Sequence, residues 1–245
     1  MKSKHFTALM ALFTLIFHPP LWAVSFCVND EASLIIALNS ASADADDDSI
    51  RIVTGSYSPM PEFDRQVRVN LMISGGWAAG CVAHTADNSV STLVGFSGNI
   101  FKMTLDADYL ALDRLAFTGW RSVQISEIAS DSTVVAGEVS VSRCRFSNVN
   151  TGLIVVSTTH DIRIENSIFD GYQDSGLDIR KSKAAQTQLL LQFNTLIQPA
   201  LGSAYGFVLQ ITPTATPFNP ARLYNTVING NNNDIRAIGQ QIIAQ

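Results

Sequence analysis

Ile162–Ile179, IRIENSIFDGYQDSGLDI, opens with a short alternating strand carrying Ile162 and Ile164, turns at Asn166, and runs into a second apolar segment closed by Phe169. A turn containing Gly171 and Asp174 follows, and Gly176-Leu177-Asp178-Ile179 begins a third strand. The same pattern recurs in Leu112–Phe117, Val141–Phe146, Gln192–Ile197 and Leu223–Ile228. Its closing apolar residues fall at 117, 146, 169, 197 and 228, giving steps of 29, 23, 28 and 31 residues. A period in that range is the mark of a solenoid.

The unit follows from the pattern inside each copy. Every copy holds two or three short runs that alternate with period two, rich in Ile, Val, Leu and Phe and broken by Gly, Asn and Asp. None holds the roughly ten residues of 3.6-period pattern that a helical repeat needs. A unit of about 25 residues with three short strands is one turn of a parallel β-helix, stacked at about 4.8 Å per turn. The expected fold class is therefore all-β, a solenoid of roughly eight or nine coils. Asn166, Asn194 and Asn225 stand three residues before the closing residue in three copies. Facing inward, they would form a ladder that bonds backbone groups left unpaired at a bend; Asn also simply suits turns. Arg114 and Arg143 hold the equivalent places in earlier copies, which confines such a ladder to the C-terminal half.

At the N-terminus, residues 1–23 read as a secretion signal. Lys2, Lys4 and His5 are basic, Phe6–Phe17 is apolar without interruption, and Pro19-Pro20 precedes Leu21-Trp22-Ala23. Cleavage after Ala23 or after Ser25 both fit, and an uncleaved anchor is the other reading. The run is shorter than the roughly 20 residues of a membrane span, and the mature chain has no other candidate span. Residues 24–245 then form one domain. Only 15% of residues are charged and the net charge is −5, which removes the electrostatic case for nucleic acid.

Asn29–Ala41 is the one good helix. Asn29 or Asp30 caps it, Glu31 complements its dipole, and Leu34, Ile35, Leu38 and Ala41 share a face. Its expected role is to cover the open end of the solenoid. The acidic loop Ala43–Asp48 lacks the Gly and distal Glu of a dedicated Ca²⁺ loop, so Ca²⁺ is only a weak candidate and no cofactor is expected. Val67, Val69, Leu71 and Ile73 read as one alternating strand, Ala78–Thr92 as a lateral loop, Trp120–Gly137 as the weakest coil, and Thr212–Pro220 as an excursion from the sheet. Only Gly239–Gln245 follows the last coil, with no amphipathic helix, so a fragment or an unusually short chain is expected.

Cys27-Val28-Asn29, the strand Ser49–Tyr57 and Ser74-Gly75-Gly76-Trp77-Ala78-Ala79-Gly80-Cys81 carry a resemblance. The chain resembles secreted bacterial right-handed parallel β-helix repeat proteins of the pectin-lyase-like architecture, over nearly all of its mature length. Three cysteines allow three pairings; the resemblance implies Cys27–Cys81, joining the capping segment to the Gly-Gly loop, with Cys144 a buried free thiol. No cysteine or histidine spacing supports a metal site.

The resemblance implies little about activity, because this fold hosts lyases, hydrolases, adhesins and tail-spike proteins alike. The Asn-Thr-Asp, Asp-Asp, Gly-His-Gly and Arg-Ile-Lys motifs of its hydrolases are missing from the chain. The remaining catalytic candidates are Asp174, Asp178, Arg180 and His160, with Asp178 and Arg180 facing solvent from one strand. Ordinary solubilising residues give the same pattern. Tyr57, Tyr172 and Tyr205 are candidates for stacking on sugar. The expectation is an exported, non-catalytic protein that presents a surface to a polysaccharide or cell-envelope component. The alternative is a polysaccharide lyase or glycoside hydrolase.

Overall fold

The computed structural model describes residues 24–41, 47–60, 62–86, 90–128, 137–181, 188–197, 205–211, 221–229, 235–238 and 242–244. The signal segment 1–23, most of the acidic loop and the proline-rich stretch 212–220 lie outside the described residues.

Strand β1 (Ser25–Val28) and helix α1 (Glu31–Ala41) precede seven rungs of three strands each. The first three rungs are β2 (Asp48–Val53), β3 (Ser56–Met60), β4 (Phe63–Val67); β5 (Leu71–Trp77), β6 (Ser91–Gly95), β7 (Ile100–Leu105); and β8 (Tyr109–Asp113), β9 (Leu115–Thr118), β10 (Ser122–Glu127). Next come β11 (Glu138–Ser142), β12 (Arg145–Ser147), β13 (Thr151–Ser157) and β14 (Asp161–Glu165), β15 (Ile168–Asp170), β16 (Ser175–Lys181). The chain ends with β17 (Leu189–Gln192), β18 (Thr195–Ile197), β19 (Tyr205–Ile211); β20 (Ala221–Tyr224), β21 (Val227–Asn229), β22 (Ile235–Ile238); and β23 (Ile242–Ala244).

Corresponding strands of successive rungs pair in parallel and build three sheets. Sheet A, with nine strands, holds β1, β23 and the first strand of every rung. Sheets B and C hold the second and third strands, seven each. Seven rungs are separated by six steps, so the solenoid makes about six turns rather than eight or nine. Loops account for the difference. Val139 reaches its partner Ile162 with no long excursion, whereas Leu71 reaches Leu110 only after the lateral loop that follows Trp77.

The core is a set of stacked columns, one residue per rung. Phe117, Phe146, Phe169, Leu196 and Ile228 are register partners on sheet B. The three rings stack at 5.3 and 4.8 Å with planes 8° and 4° apart. Burial of such side chains, roughly 1.5–3 kcal/mol each, drives the winding. The column corrects the repeat: Leu196 closes its copy, and Ile197, the residue expected there, faces solvent at 43% exposure.

That shift of one residue separates the three asparagines. Arg114, Arg143, Asn166, Phe193 and Asn225 all sit at the short corner between sheets A and B with φ from 45° to 55°, in the left-handed region that Asn tolerates best. Asn166 and Asn225 are exposed there and do not stack with Asn194. The inward place lies one residue later, at Leu115, Cys144, Ser167, Asn194 and Thr226. Asn194 donates from Nδ2 to the Ile164 carbonyl at 2.7 Å and accepts the Ser167 N–H at 2.9 Å. Ser167 Oγ accepts the Cys144 N–H at 3.2 Å and donates to the Glu165 carbonyl. The polar ladder exists, but mixed side chains build it. Cys144 is the buried free thiol in this ladder, its ionisation pushed up to about 12 by burial.

Helix α1 packs against β1, β2 and β3, and Arg65 of β4 donates to Asn39 on it, so it touches the first strand of every sheet. Asp30 caps it: its carboxylate accepts the Ser33 N–H at 2.7 Å while Ser33 Oγ accepts the Asp30 N–H. Leu34, Ala37, Leu38 and Ala41 are buried against the end of the core. Cys27 and Cys81 form a disulfide that ties β1 to the loop after β5. Val67 and Leu71 belong to different strands, so the run Val67–Ile73 keeps its inward alternation across a corner. In the coil that read as weakest, Trp120 is fully buried over Gly95, where a Cβ would stand 2.3 Å from the indole.

Candidate functional site

The four residues singled out from the sequence do not share one groove. Asp178 lies on the outer face of sheet C between its register neighbours Ile154 and Val208, but it is buried at 7% exposure and does not face solvent as its alternation suggested. Its carboxylate is chelated by Arg180 from the same strand, Nε to Oδ1 at 3.1 Å and Nη2 to Oδ2 at 2.6 Å. Val156 and Gln210 flank Arg180, so neither adjacent coil offers a second carboxylate at these places. Asp174 is exposed on the turn before β16, its backbone bonded to Asn150 and Tyr205. His160 lies in the interior at 1% exposure, and Tyr57 and Tyr172 are likewise buried, which takes both tyrosines out of any sugar platform.

The outer face of sheet A carries a denser array. Leu110 and Leu112, Val139 and Val141, and Ile162 and Ile164 point into the core. Their alternates therefore point out, in three rows that run along the axis. One row is Tyr109, Glu138 and Asp161; the middle row is Ala111, Ser140 and Arg163; the third is Asp113, Ser142 and Glu165. Neighbours within a row stand one strand spacing apart, about 4.8 Å. Small residues occupy much of the middle row, and charged or aromatic ones flank it.

The electrostatics of this face are set by local pairs. Arg143, at the left-handed corner, grips Asp113 with Nε to Oδ1 and Nη2 to Oδ2 both at 2.7 Å, and Ser142 Oγ donates to the same carboxylate at 2.8 Å. About half of the Arg143 side chain stays exposed. Arg163 bridges to Glu165 at 2.9 Å. Tyr109 ionises less readily than a free tyrosine, first because it is partly buried and then because Glu138 and Asp113 lie near. The face offers carboxylates and hydroxyls as acceptors, guanidinium donors and one aromatic edge. Among the described residues no group of three or more His, Cys, Asp and Glu is placed to hold a metal ion.

A second cluster lies inside. Glu127 ends β10 with inward parity, after Val123 and Ile125, and its side chain is 4% exposed. Its carboxylate accepts the Thr158 and Thr159 N–H groups, both hydroxyls of Ser157 and Thr159, and His160 Nδ1 at 3.2 Å. Lys181, inward at the end of β16, donates Nζ to the His160 carbonyl at 2.9 Å. Burial opposes the charge of Glu127, but the bonds from His160, Thr159 and Thr158 outweigh it and hold the carboxyl well below its usual range. Parity with Val123 and Ile125 was the sequence signal that could have found Glu127.

No family model, curated protein or solved structure matches this chain. Function must therefore be argued from the arrangement of these side chains, since a parallel β-solenoid by itself implies none. Among the described residues no helix is long and apolar enough to cross a membrane. The Cys27–Cys81 disulfide is of the kind that persists in oxidising compartments.

Proposed function

We propose that this protein is an exported, non-catalytic, right-handed parallel β-helix protein of the pectin-lyase-like kind that presents the outer face of sheet A to a polysaccharide, at the cell envelope or outside the cell. The observation that carries this reading is the in-register rows of Tyr109, Glu138 and Asp161 and of Ala111, Ser140 and Arg163, with Arg143 at the corner beside them. A linear glycan offers hydroxyls at a regular repeat, and a flat array of carboxylates, hydroxyls and guanidinium groups at a regular spacing is complementary to it. Carboxylates accept from sugar hydroxyls, guanidinium groups donate, and an aromatic edge packs on a sugar face. Export accords with the disulfide and with the signal read at residues 1–23. The test is a polysaccharide array probed with mature protein and with Tyr109→Ala and Ser140→Arg variants. Binding that both variants weaken supports the reading, and binding that neither alters contradicts it.

A second reading has one observation in its favour. Glu138 and Asp161 are direct register neighbours on parallel strands, so their backbones stand one strand spacing, about 4.8 Å, apart, and retaining glycosidases use two carboxyls about 5–5.5 Å apart. In that reading one carboxyl protonates the leaving oxygen and the other attacks the anomeric carbon. Release of reducing ends that disappears in both Glu138→Gln and Asp161→Asn would establish it over the binding role.

A further inference from the structure

His160 occupies the corner between sheets C and A, within the turn Ser157–Asp161 that joins β13 to β14. Its Nδ1 lies 3.2 Å from Glu127 Oε2, and its Nε2 lies 2.7 Å from the Ala107 carbonyl oxygen. Neither partner has a hydrogen to give, because a carboxylate and a carbonyl only accept. A neutral imidazole carries one N–H, so it would leave one contact as two facing lone pairs. Only the imidazolium donates at both nitrogens. Thr159 Oγ1 stands farther away, at 3.5 Å from Nδ1, and its proton is already committed to Glu127 Oε1 at 2.6 Å.

The ring is also wedged between three successive coils. Ala107, which precedes β8, accepts from it. Gly137, which precedes β11, faces it so closely that a Cβ would lie 2.5 Å from the ring. His160 itself precedes Asp161, the first residue of β14. The same imidazole thus sits beneath the start of Tyr109, Glu138 and Asp161, the first row of the sheet A face.

We propose that His160, Glu127 and the Ser157–Asp161 turn form a proton-sensitive latch: the imidazolium clamps the turn to β10 and to the entry of β8, and loss of its proton releases the turn that presents Asp161. The latch rests on the geometry of the interior and holds whether or not the face above it binds a glycan.

The charged groups facing the ring, among the described residues, are Glu127 from β10, Lys181 from β16, Asp108 before β8 and Asp161 beside it. Burial works against the charge of His160, but the bonds to Glu127 and Ala107, with the fields of Glu127 and Asp108, raise its affinity for the proton above the ordinary value. Stability contributed by that proton is complete below about 6.5 and is lost as pH rises through the higher folded value. Lys181, pushed down to about 8 by burial against the fields of Asp161 and Glu127, also loses its proton within the range of about pH 5 to pH 10. Its folded value lies below its unfolded one, so its release shifts stability in the opposite direction. Global stability therefore blends two opposed effects, and a local probe is required.

The experiment follows the His160 ring nitrogens by ¹⁵N NMR in the mature wild-type protein from pH 5 to pH 10, together with hydrogen exchange at the Thr158 and Thr159 amides corrected for intrinsic base catalysis. Both nitrogens should read as protonated at pH 6.5. Amide protection should then fall, by roughly tenfold or more if the turn opens, as the ring deprotonates. In His160→Gln/Lys181→Met, which removes both titrating groups at the turn, protection should not vary over that range. A neutral ring at pH 6.5, or protection that does not change with the ring's own ¹⁵N titration, would overturn the latch; the wild-type data decide this even if the double variant does not fold.

Discussion

Asn194 accepts the backbone N–H of Ser167 at 2.9 Å, one coil earlier in the stack, and through its Nδ2 it holds the Ile164 carbonyl of the same neighbouring coil. A side chain thus completes two backbone groups that the bend between sheets A and B takes out of the strand ladder. Asn194→Leu should lower stability by roughly 1–3 kcal/mol, the cost of leaving such groups buried and unsatisfied. Thr195→Val, one residue on and partly exposed, should change it by less than about 0.5 kcal/mol. Equal urea midpoints for the two variants would contradict this assignment.

Phe193 holds the left-handed corner at φ 55° and is 48% exposed. An L-residue with a large side chain is strained there by roughly 1–2 kcal/mol, and Asn relieves part of that strain with a local hydrogen bond. Phe193→Asn should therefore stabilise the protein by up to about 1 kcal/mol, read as a higher urea midpoint with an unchanged slope.

Much of the architecture was legible from the chain because its columns are made by residues of one type in one place. Phe117, Phe146 and Phe169 announce the period, and the alternation of Ile162 and Ile164 announces the strand. The pattern misled where two apolar residues adjoin. Leu196 and Ile197 both suit a closing place, and choosing Ile197 moved Asn194 onto the corner with Asn166 and Asn225. Alternation also survives a corner, so Val67–Ile73 read as one strand where the chain makes two. The sites were less legible for a physical reason: an outward row such as Tyr109, Glu138 and Asp161 is assembled from three coils and has no trace in local sequence. His160 stood out as a titratable residue, yet its neighbours Glu127 and Ala107 come from earlier coils, and only the winding reveals that it lies buried between them.

The disulfide links Cys27, in the outermost strand of sheet A, to Cys81 across a sequence separation of 54. Closing a loop of that length stabilises by up to about 4 kcal/mol in the chain-entropy account. Cys27→Ser/Cys81→Ser should lose a sizeable part of that and expose the β1 edge. Peptide mapping without reduction should recover the Cys27–Cys81 pair and a free Cys144; mapping that finds both Cys27 and Cys81 as thiols in exported protein would contradict the pairing.

Glu127 supplies a prediction in acid. Its folded carboxyl is held below the unfolded value near 4.3, so the stability it contributes is complete above that pH and is lost as pH falls toward the folded value. Glu127→Gln should be clearly less stable than wild type at pH 6, and the gap between them should narrow below about pH 4. Denaturant melts of both proteins from pH 3 to pH 7 measure it, and a gap that stays constant would count against a carboxylate anchoring Thr158 and Thr159.

The central claim, a binding face without turnover, is tested most directly by incubating mature protein with acidic and neutral polysaccharides while recording both retention and cleavage. Binding that Tyr109→Ala weakens at least about tenfold, roughly 1.4 kcal/mol, with no reducing ends or unsaturated uronates released with or without Ca²⁺, is the predicted result. Product release that Glu138→Gln or Asp161→Asn abolishes, or retention that Tyr109→Ala leaves unchanged, would contradict it.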